Sequence, residues 1–540
     1  SDSYELLFGG TNDKSLILSI LKASGISSLT WNGGASGTWS AASGNTGWTG
    51  AGVNSFKDGD KVSFLDIPDI TASEITLEGT VKPSQIIVNN TATSFTWKGT
   101  GIIADSEESA TTTLLKEGSG ELTIANGANT FSGGTTISGG SIKLQAVQGL
   151  GTGTITLSGA NATLLLDADG DLLKSGNKLI FNGGTLSYGD TANQDISTLI
   201  SDSSTANVAI NLGAAQGSWG TAINKNLTIN GTTGILTLNS ASAIGANSLT
   251  IQGGTVQITS ADTLTSATSI TLSGTGTLDL NGQTISNALT FSNGGILTNT
   301  AAATARIDVT GDIWQNGTVS IAQGSTIQLN LTGATTLKGK LEGSGTFAKS
   351  GSSNFVIDTI GSKFDGTIQS NAGYIIFSPT TANGQTFADD YRPDLIIDAG
   401  ANVTLGSTSF ATEDNAFKIG NLTGSGDFKA DYGSAGDRYI DVQIDKAGGA
   451  TYSGKVMLAS NNRINNVIKR GTEDWILTGD STTTGVLKIA EGAVQLGDGG
   501  TTGSWAGSIT GTGQLILNRT GDVTISTDNS FSGGMVIKAG

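Results

Sequence analysis

The 540-residue chain contains no cysteine and no histidine. Without cysteine there is no disulfide framework, no thiolate metal site and no thiol nucleophile. Without histidine the commonest general base and metal ligand is missing, so neither Ser-His-Asp nor Cys-His chemistry can be built. Only four prolines occur, Pro68, Pro83, Pro379 and Pro393, and no Pro-rich, Ser-only or charge-run segment reads as a linker between domains. No stretch reaches the ~18 apolar residues of a membrane helix. Leu16-Ile-Leu-Ser-Ile-Leu21 is too short and follows Asp2, Glu5 and Asp13, so it is no intact signal peptide, and Ser1 suits a mature start after one is removed. Basic charge is also scarce. Lys and Arg number 28 against 45 Asp and Glu, a formal net charge of −17, which argues against a nucleic-acid partner. The acid excess is spread thinly and favours solubility.

What is abundant is glycine. Its 80 residues are roughly one in seven, about twice the usual share. They punctuate short runs of Thr, Ile, Leu and Val without a collagen period, as in a chain that turns often. A hydrophobic content of 36% with 6% aromatics fits a narrow core repeated many times better than one large core. Repetition is explicit. Asn129-Thr-Phe-Ser-Gly-Gly-Thr-Thr-Ile137 returns as Asn529-Ser-Phe-Ser-Gly-Gly-Met-Val-Ile537, with degenerate echoes at Phe364-Asp-Gly-Thr-Ile368 and Tyr452-Ser-Gly-Lys-Val456. A unit recurring over such a span decides a fold before any single motif does.

Strand patterning dominates. Glu121–Ile124, Gly153–Ser158, Leu249–Gln252, Ser269–Ser273 and Gln514–Asn518 alternate apolar with polar and are closed by Gly, Asn, Asp or Ser, as half-buried strands are. The best helical candidate is Ser15 to Lys22. Short strands with frequent turns fit a β-sandwich series or a β-solenoid. Inward positions here are mostly single Ile, Leu or Val flanked by Thr and Ser, which favours a parallel solenoid. The fold class is therefore all-β, with an atypical N-terminal cap: Trp31, Trp39, Trp48 and Trp97 fall early, and an end rung needs extra cover. Residues 1–110 read as cap and first rungs, and 111–540 as continuous solenoid. The stop at Met535-Val-Ile-Lys-Ala-Gly540, one turn into a repeat, leaves a bare edge and reads as a cut within a longer protein.

Chemistry-bearing clusters are sparse. Asp167-Ala-Asp-Gly-Asp171 is the most suggestive acidic group, but a helix–loop calcium site needs Gly and Glu where Leu172 and Lys178 stand. A solvated rung corner is the simpler reading, with a loosely turn-bound calcium ion as its rival. Paired carboxylates suffice for glycoside hydrolysis, and the pairs are Asp389-Asp390, Glu473-Asp474, and Asp437 near Asp441. Neighbouring acids in a strand face opposite sides. Asp389-Asp390 lies in the least repetitive loop, Phe387 to Pro393, where Tyr391 and Arg392 could contact a sugar. Asn461 to Asn466 with Lys469 and Arg470 is the only basic cluster, either a contact for an acidic glycan or Asn stacked at a corner. No catalytic, cofactor or metal residue is assigned.

Leu115-Lys-Glu-Gly-Ser-Gly-Glu-Leu-Thr-Ile124 leads into Asn129–Ile137 and on through Gly149-Leu-Gly-Thr-Gly-Thr-Ile-Thr-Leu157. This resembles the passenger-associated strand repeat of bacterial autotransporters. Ala490 to Val523 is similar to rungs of self-associating autotransporter adhesins, and Trp31 to Phe64 to segments that open such passengers. The resemblance implies a right-handed parallel β-helix, exported across two membranes by a C-terminal translocator barrel. No tract of amphipathic barrel strands closes this chain. Zero cysteine suits a passenger that crosses an oxidising periplasm unfolded. It further implies a non-catalytic, surface-displayed adhesin that mediates cell–cell aggregation, biofilm or host attachment. Its partners would be copies of itself, with a host glycan or matrix protein as a further partner, and no cofactor. A glycan-active β-helix enzyme and an inert stalk are the alternatives.

At ~22 residues and ~4.8 Å per rung, the chain is expected to extend on the order of 110–120 Å. Circular dichroism should show nearly pure β signal and solution scattering a rod. A globular radius near 24 Å, about that of a compact chain this long, would contradict the solenoid reading.

Overall fold

The computed structural model describes residues 4–9, 17–22, 25–34, 36–42, 46–107, 111–265, 267–309, 316–359, 361–379, 386–388, 390–406, 410–429, 437–457, 465–525 and 528–539. No α-helix occurs among them. Strands stack in parallel, turn upon turn, as a β-solenoid, and the chain divides into two compact units, Ser1–Ser218 and Trp219–Gly540.

In the first unit one face is built from Ser28–Trp31, Lys61–Leu65, Gln85–Asn89, Thr113–Glu117, Thr135–Ile137, Ile155–Ser158 and Leu179–Asn182, all parallel. A second face runs from Thr38–Trp39 through Glu74–Leu77, Phe95–Gly99, Glu121–Ile124, Gly140–Leu144, Ala162–Leu166 and Thr185–Tyr188 to Val208–Asn211. Parallel strands need a crossover connection, and here the coil itself supplies it. From Leu114 to its partner Thr135 is 21 positions, and from Thr135 to Ile155 is 20. Equal coil lengths put like residues in register. Trp97, Ile124, Leu144, Leu166 and Tyr188 form one inward column, each at most 2% exposed. Thr123, Lys143 and Leu165 between them face outward and are half-buried, the alternation a one-sided strand requires.

The N-terminal rungs are filled by rings. Trp31, Trp39, Trp48, Phe56, Phe64, Phe95 and Trp97 are all buried, with centroids 5.0 Å apart for Trp31–Trp48, 5.8 Å for Trp39–Phe56 and 5.4 Å for Phe64–Trp97. Edge and tilted contacts of this kind add about 0.5–1.5 kcal/mol each beyond area burial. Trp31 Nε1 donates to Ala72 O at 2.8 Å. Ahead of this cluster, the described part of the helical candidate Ser15 to Lys22 is not helical. Ile17–Lys22 is a strand, antiparallel to Tyr4–Gly9 with Tyr4 opposite Lys22. A segment this short gains too few helical hydrogen bonds to offset nucleation, whereas a hairpin partner pairs its backbone at once.

In the second unit the longest face has twelve strands, from Thr284–Ile285 to Met535–Ala539. Two strands of 11 residues, Ser269–Asp279 and Leu289–Asn299, each turn a corner and serve two faces, with register shifts at Ser273/Gly274 and Gly274/Thr277. Coil length is then regular: 22 positions from Ile307 to Leu329, 20 from Ile327 to Phe347, and 21 from Phe347 to Ile368. It widens to 27 from Ile368 to Leu395, 27 to Leu422, and 28 from Gly424 to Tyr452. It returns to 19 from Trp475 to Val494 and 21 to Leu515.

Corners expose backbone carbonyls that no ladder pairs, and three lysines cover them. Lys116, Lys349 and Lys469 each occupy an inward strand position and are 0% exposed. Lys116 Nζ donates to Glu117 O (2.6 Å), Gly118 O (3.3 Å) and, in the next turn, Gly139 O (3.4 Å). Lys349 Nζ donates to Gly351 O (2.7 Å) and to Ala372 O of the next turn (2.5 Å). Lys469 Nζ reaches Gly471 O, Glu473 O and, one turn on, Glu491 O (2.6, 2.6 and 3.0 Å). The glycine two positions after each lysine has positive φ: Gly118 at 69°, Gly351 at 82° and Gly471 at 81°. A Cβ there would lie 2.2–2.3 Å from a carbonyl oxygen of the preceding turn, so Lys-x-Gly is one device. Burial pushes the Lys116 and Lys349 ammonium groups down to about 8 from 10.5, and that of Lys469 downward as well.

Lys349→Met should therefore lower unfolding free energy by about 2 kcal/mol at neutral pH, since two carbonyls lose their donor. By NMR of labelled lysine Cε, two ammonium groups should titrate near 8. With the folded value below the unfolded one, the unfolded chain binds more protons between them. The stability linked to this titration is then present above 10.5 and lost as pH falls through 8, and Lys349→Met should lose its share of that slope.

Candidate polar groove on the widened turns

The widened coils come from segments that do not continue the strands. Phe387, at the start of the non-repetitive loop, is buried against Phe377 and Phe417, with centroids 6.2 Å away in both cases. Its neighbour Ala388 donates N–H to Ser362 O at 2.9 Å, and Tyr391 N–H to Ala388 O at 2.9 Å. Pro393 O accepts from Gly420 N–H one turn on. The loop is thus pinned at both ends, and Arg392 projects sideways from it. Arg392 Nη2 lies 3.1 Å from Asp441 Oδ2, and Arg470 Nε 3.0 Å from the same oxygen. Asp441 is 5% exposed, while both arginines reach solvent. Two guanidinium groups share one buried carboxylate, Arg470 from the turn after Asp441 and Arg392 from two turns before it, past the turn that carries Lys418.

Beside this triad is a polar groove of about 180 Å³ lined by Arg392, Asp394, Asn421, Gln443, Asp445 and Lys446. Asp394 Oδ1 accepts from both Asn421 N (2.8 Å) and Asn421 Nδ2 (3.0 Å). That bond orients the amide, since the flipped form would set oxygen against oxygen. The Asn421 carbonyl oxygen Oδ1 is then buried with no partner among the described residues, an arrangement that costs roughly 1–3 kcal/mol when left dry. Gln443 Nε2 donates to Asp445 Oδ2 at 2.6 Å.

The structure separates the residues singled out from sequence. Asp389 lies outside the described residues, as do Asn461 to Ile464. Asp390 is exposed and Tyr391 half-buried, and neither lines the groove. Arg392, Asp441 and Arg470, drawn from three different sequence readings, come together. Asp441 is held by the arginines rather than paired with Asp437, whose backbone carbonyl accepts from Arg438 at 3.1 Å. Glu473 Oε2 accepts from Gly448 N–H. Lys469 is no glycan contact, because it points into the core and binds carbonyls. Asn466 accepts from Val486 N–H at 2.8 Å, a corner role.

Asp167 pairs with Lys143 (2.9 Å) and accepts from Gln145 (2.9 Å). Burial pushes its carboxyl up, but those two bonds outweigh it and hold the carboxyl below its usual range. Asp169 and Asp171 are exposed. Among the described residues no group of three or more acidic side chains gathers to hold a metal. Asn421, Gln443 and Lys446 carried no sequence signal of their own. The lysine corners did, since an inward Lys breaks the alternation of an otherwise apolar strand face.

Residues 114–144, 467–496 and 510–540 match the passenger-associated-transport-repeat family. The chain is also similar to the Adhesin BmaC autotransporter of Brucella suis biovar 1 (strain 1330), at 26% identity over 85% of this chain. Together these support an autotransporter passenger domain. The chain spans 14% of that relative's length. No solved structure matches the chain. Lys116 and Lys469 fall inside matched repeats and Lys349 outside them, so the corner device extends beyond the recognisable repeat motif.

Asp441→Ala should release the Arg392 loop. The expected loss is about 3 kcal/mol, near the lower end for a broken buried pair because both arginines reach solvent. Hydrogen exchange at the Ala388 and Tyr391 amides should accelerate. Unchanged exchange would show that the triad does not hold the loop.

Proposed function

We propose that the chain is a non-catalytic adhesive passenger, displayed at the bacterial surface after export through the outer membrane, and that it binds copies of itself. The observation that carries this reading is the likeness to an autotransporter named as an adhesin, joined to passenger repeats at residues 114–144, 467–496 and 510–540. The absence of histidine and cysteine leaves few routes to catalysis and supports it further. So does the outward chemistry. Thr136 and Thr156 on one face, or Thr228, Thr250, Thr271 and Thr290 on another, repeat from turn to turn. Such columns let two copies join many individually weak contacts, giving avidity without a deep pocket.

With a charge of −17, two copies repel at long range, and salt screens that repulsion within ~8 Å at physiological ionic strength. Beads displaying the chain are expected to clump at physiological salt, to clump less at low ionic strength, and to keep clumping with a calcium chelator present. Beads that stay dispersed yet attach to host cells or mucus would replace self-association by heterophilic adhesion. Beads that do neither would favour an inert stalk. Release of reducing ends from a polysaccharide panel, lost in an Asp389→Asn/Asp390→Asn double variant, would overturn the non-catalytic reading.

A further inference from the structure

The groove of the second unit lies where the coil lengthens from about 21 positions to 27 and 28. The extra residues are not needed to close a turn, because the turns on either side close without them. We propose that this groove binds one neutral sugar residue of a surface glycan, giving the passenger a contact with surfaces other than its own. The proposal rests on the adhesive reading above and names a partner for it.

Four features select that ligand. Asn421 is 9% exposed, and its Oδ1, oriented by the bond from Nδ2 to Asp394, is a buried acceptor without a donor. Buried polar atoms are nearly always satisfied, so an occupant that brings an O–H or N–H suits this atom. A sulfate or carboxylate has acceptors alone and does not suit it.

Charge agrees with that. Arg392 and Lys446 line the groove together with Asp394 and Asp445, two of each sign, which draws neither a polyanion nor a polycation. The lining mixes donors and acceptors: a guanidinium edge, an ammonium, two carboxylates and two amides. A sugar hydroxyl both donates and accepts, so adjacent hydroxyls match such planar side chains. Size limits the occupant to a single ring, since about 180 Å³ is below the roughly 300 Å³ where sites for drug-sized molecules begin. Among the described residues no aromatic ring lines the groove, so each site binds weakly and attachment depends on many displayed copies.

The test uses the full chain in saturation-transfer NMR. The probes are methyl hexosides, methyl N-acetylhexosaminides and, as the acidic probe, sialyllactose. At least one neutral glycoside should receive saturation, with affinity reduced about tenfold in Asn421→Ala. Lys446→Ala should show a loss of the same order. Lys446 is exposed, so its variant should melt as the parent does, which separates a lost contact from a lost fold. Binding of sialyllactose alone, binding of no glycoside, or binding unchanged in both variants would overturn the proposal. The bead assay runs in parallel. Beads that still clump while no glycoside binds would sink the sugar site and leave the adhesive reading standing. Glycoside binding with beads that neither clump nor attach would uphold the groove and remove the adhesive role.

Discussion

Each turn of this chain must lie back on the one before it, with strands in register about 4.8 Å apart. That requirement governs nearly everything else in either unit. It lets a core one or two side chains wide become a continuous column, because each inward residue is covered by its counterparts in the turns above and below. It also concentrates the difficulty at corners, where the chain leaves one face for the next and its carbonyls have no partner strand. An unpaired buried carbonyl costs about as much as a lost hydrogen bond. The Lys-x-Gly corners meet this with a cation that reaches two or three carbonyl oxygens in adjacent turns, and with a glycine at positive φ where any Cβ would strike the preceding turn.

The same logic explains the aromatic N-terminal rungs. A column needs its inward positions filled in every turn, and here the filling is by rings. Trp31, Trp39, Trp48, Phe56 and Phe64 supply it by packing against one another, and only farther along do Ile and Leu columns take over. Large rings let few residues fill these rungs because each buries roughly 150–250 Å².

Regular turns present the same few side chains to solvent again and again, which suits repeated weak contact. A distinct local shape needs a lapse in the period. In the second unit the lapse is the run of widened coils, and there Arg392, Asp441 and Arg470 lock three turns together beside a polar groove. Departures from local consistency tend to mark functional places. This departure is anchored by a buried carboxylate and not left to a loose loop.

The sequence by itself determined the strands, the repetition and the narrow core, because alternation with period two and Gly-closed runs are local properties that survive whatever packs around them. It also ruled out histidine and thiol chemistry outright. It pointed to Arg392, Asp441 and Arg470 separately, but it could not show that they meet. Arg392 and Asp441 are 49 positions apart, and Asp441 and Arg470 are 29. Whether such residues meet depends on how many residues each coil consumes, and no local pattern counts that. Lys469 was misplaced for the same reason: its break in the apolar alternation is legible, but its role as a donor to carbonyls is not until the turn carrying Glu491 is laid beside it. The short stretch before the first tryptophan was legible only as apolar, and its pairing with Tyr4–Gly9 decided between helix and strand. Tertiary structure alone decided register between turns, and register decides which polar groups are buried together.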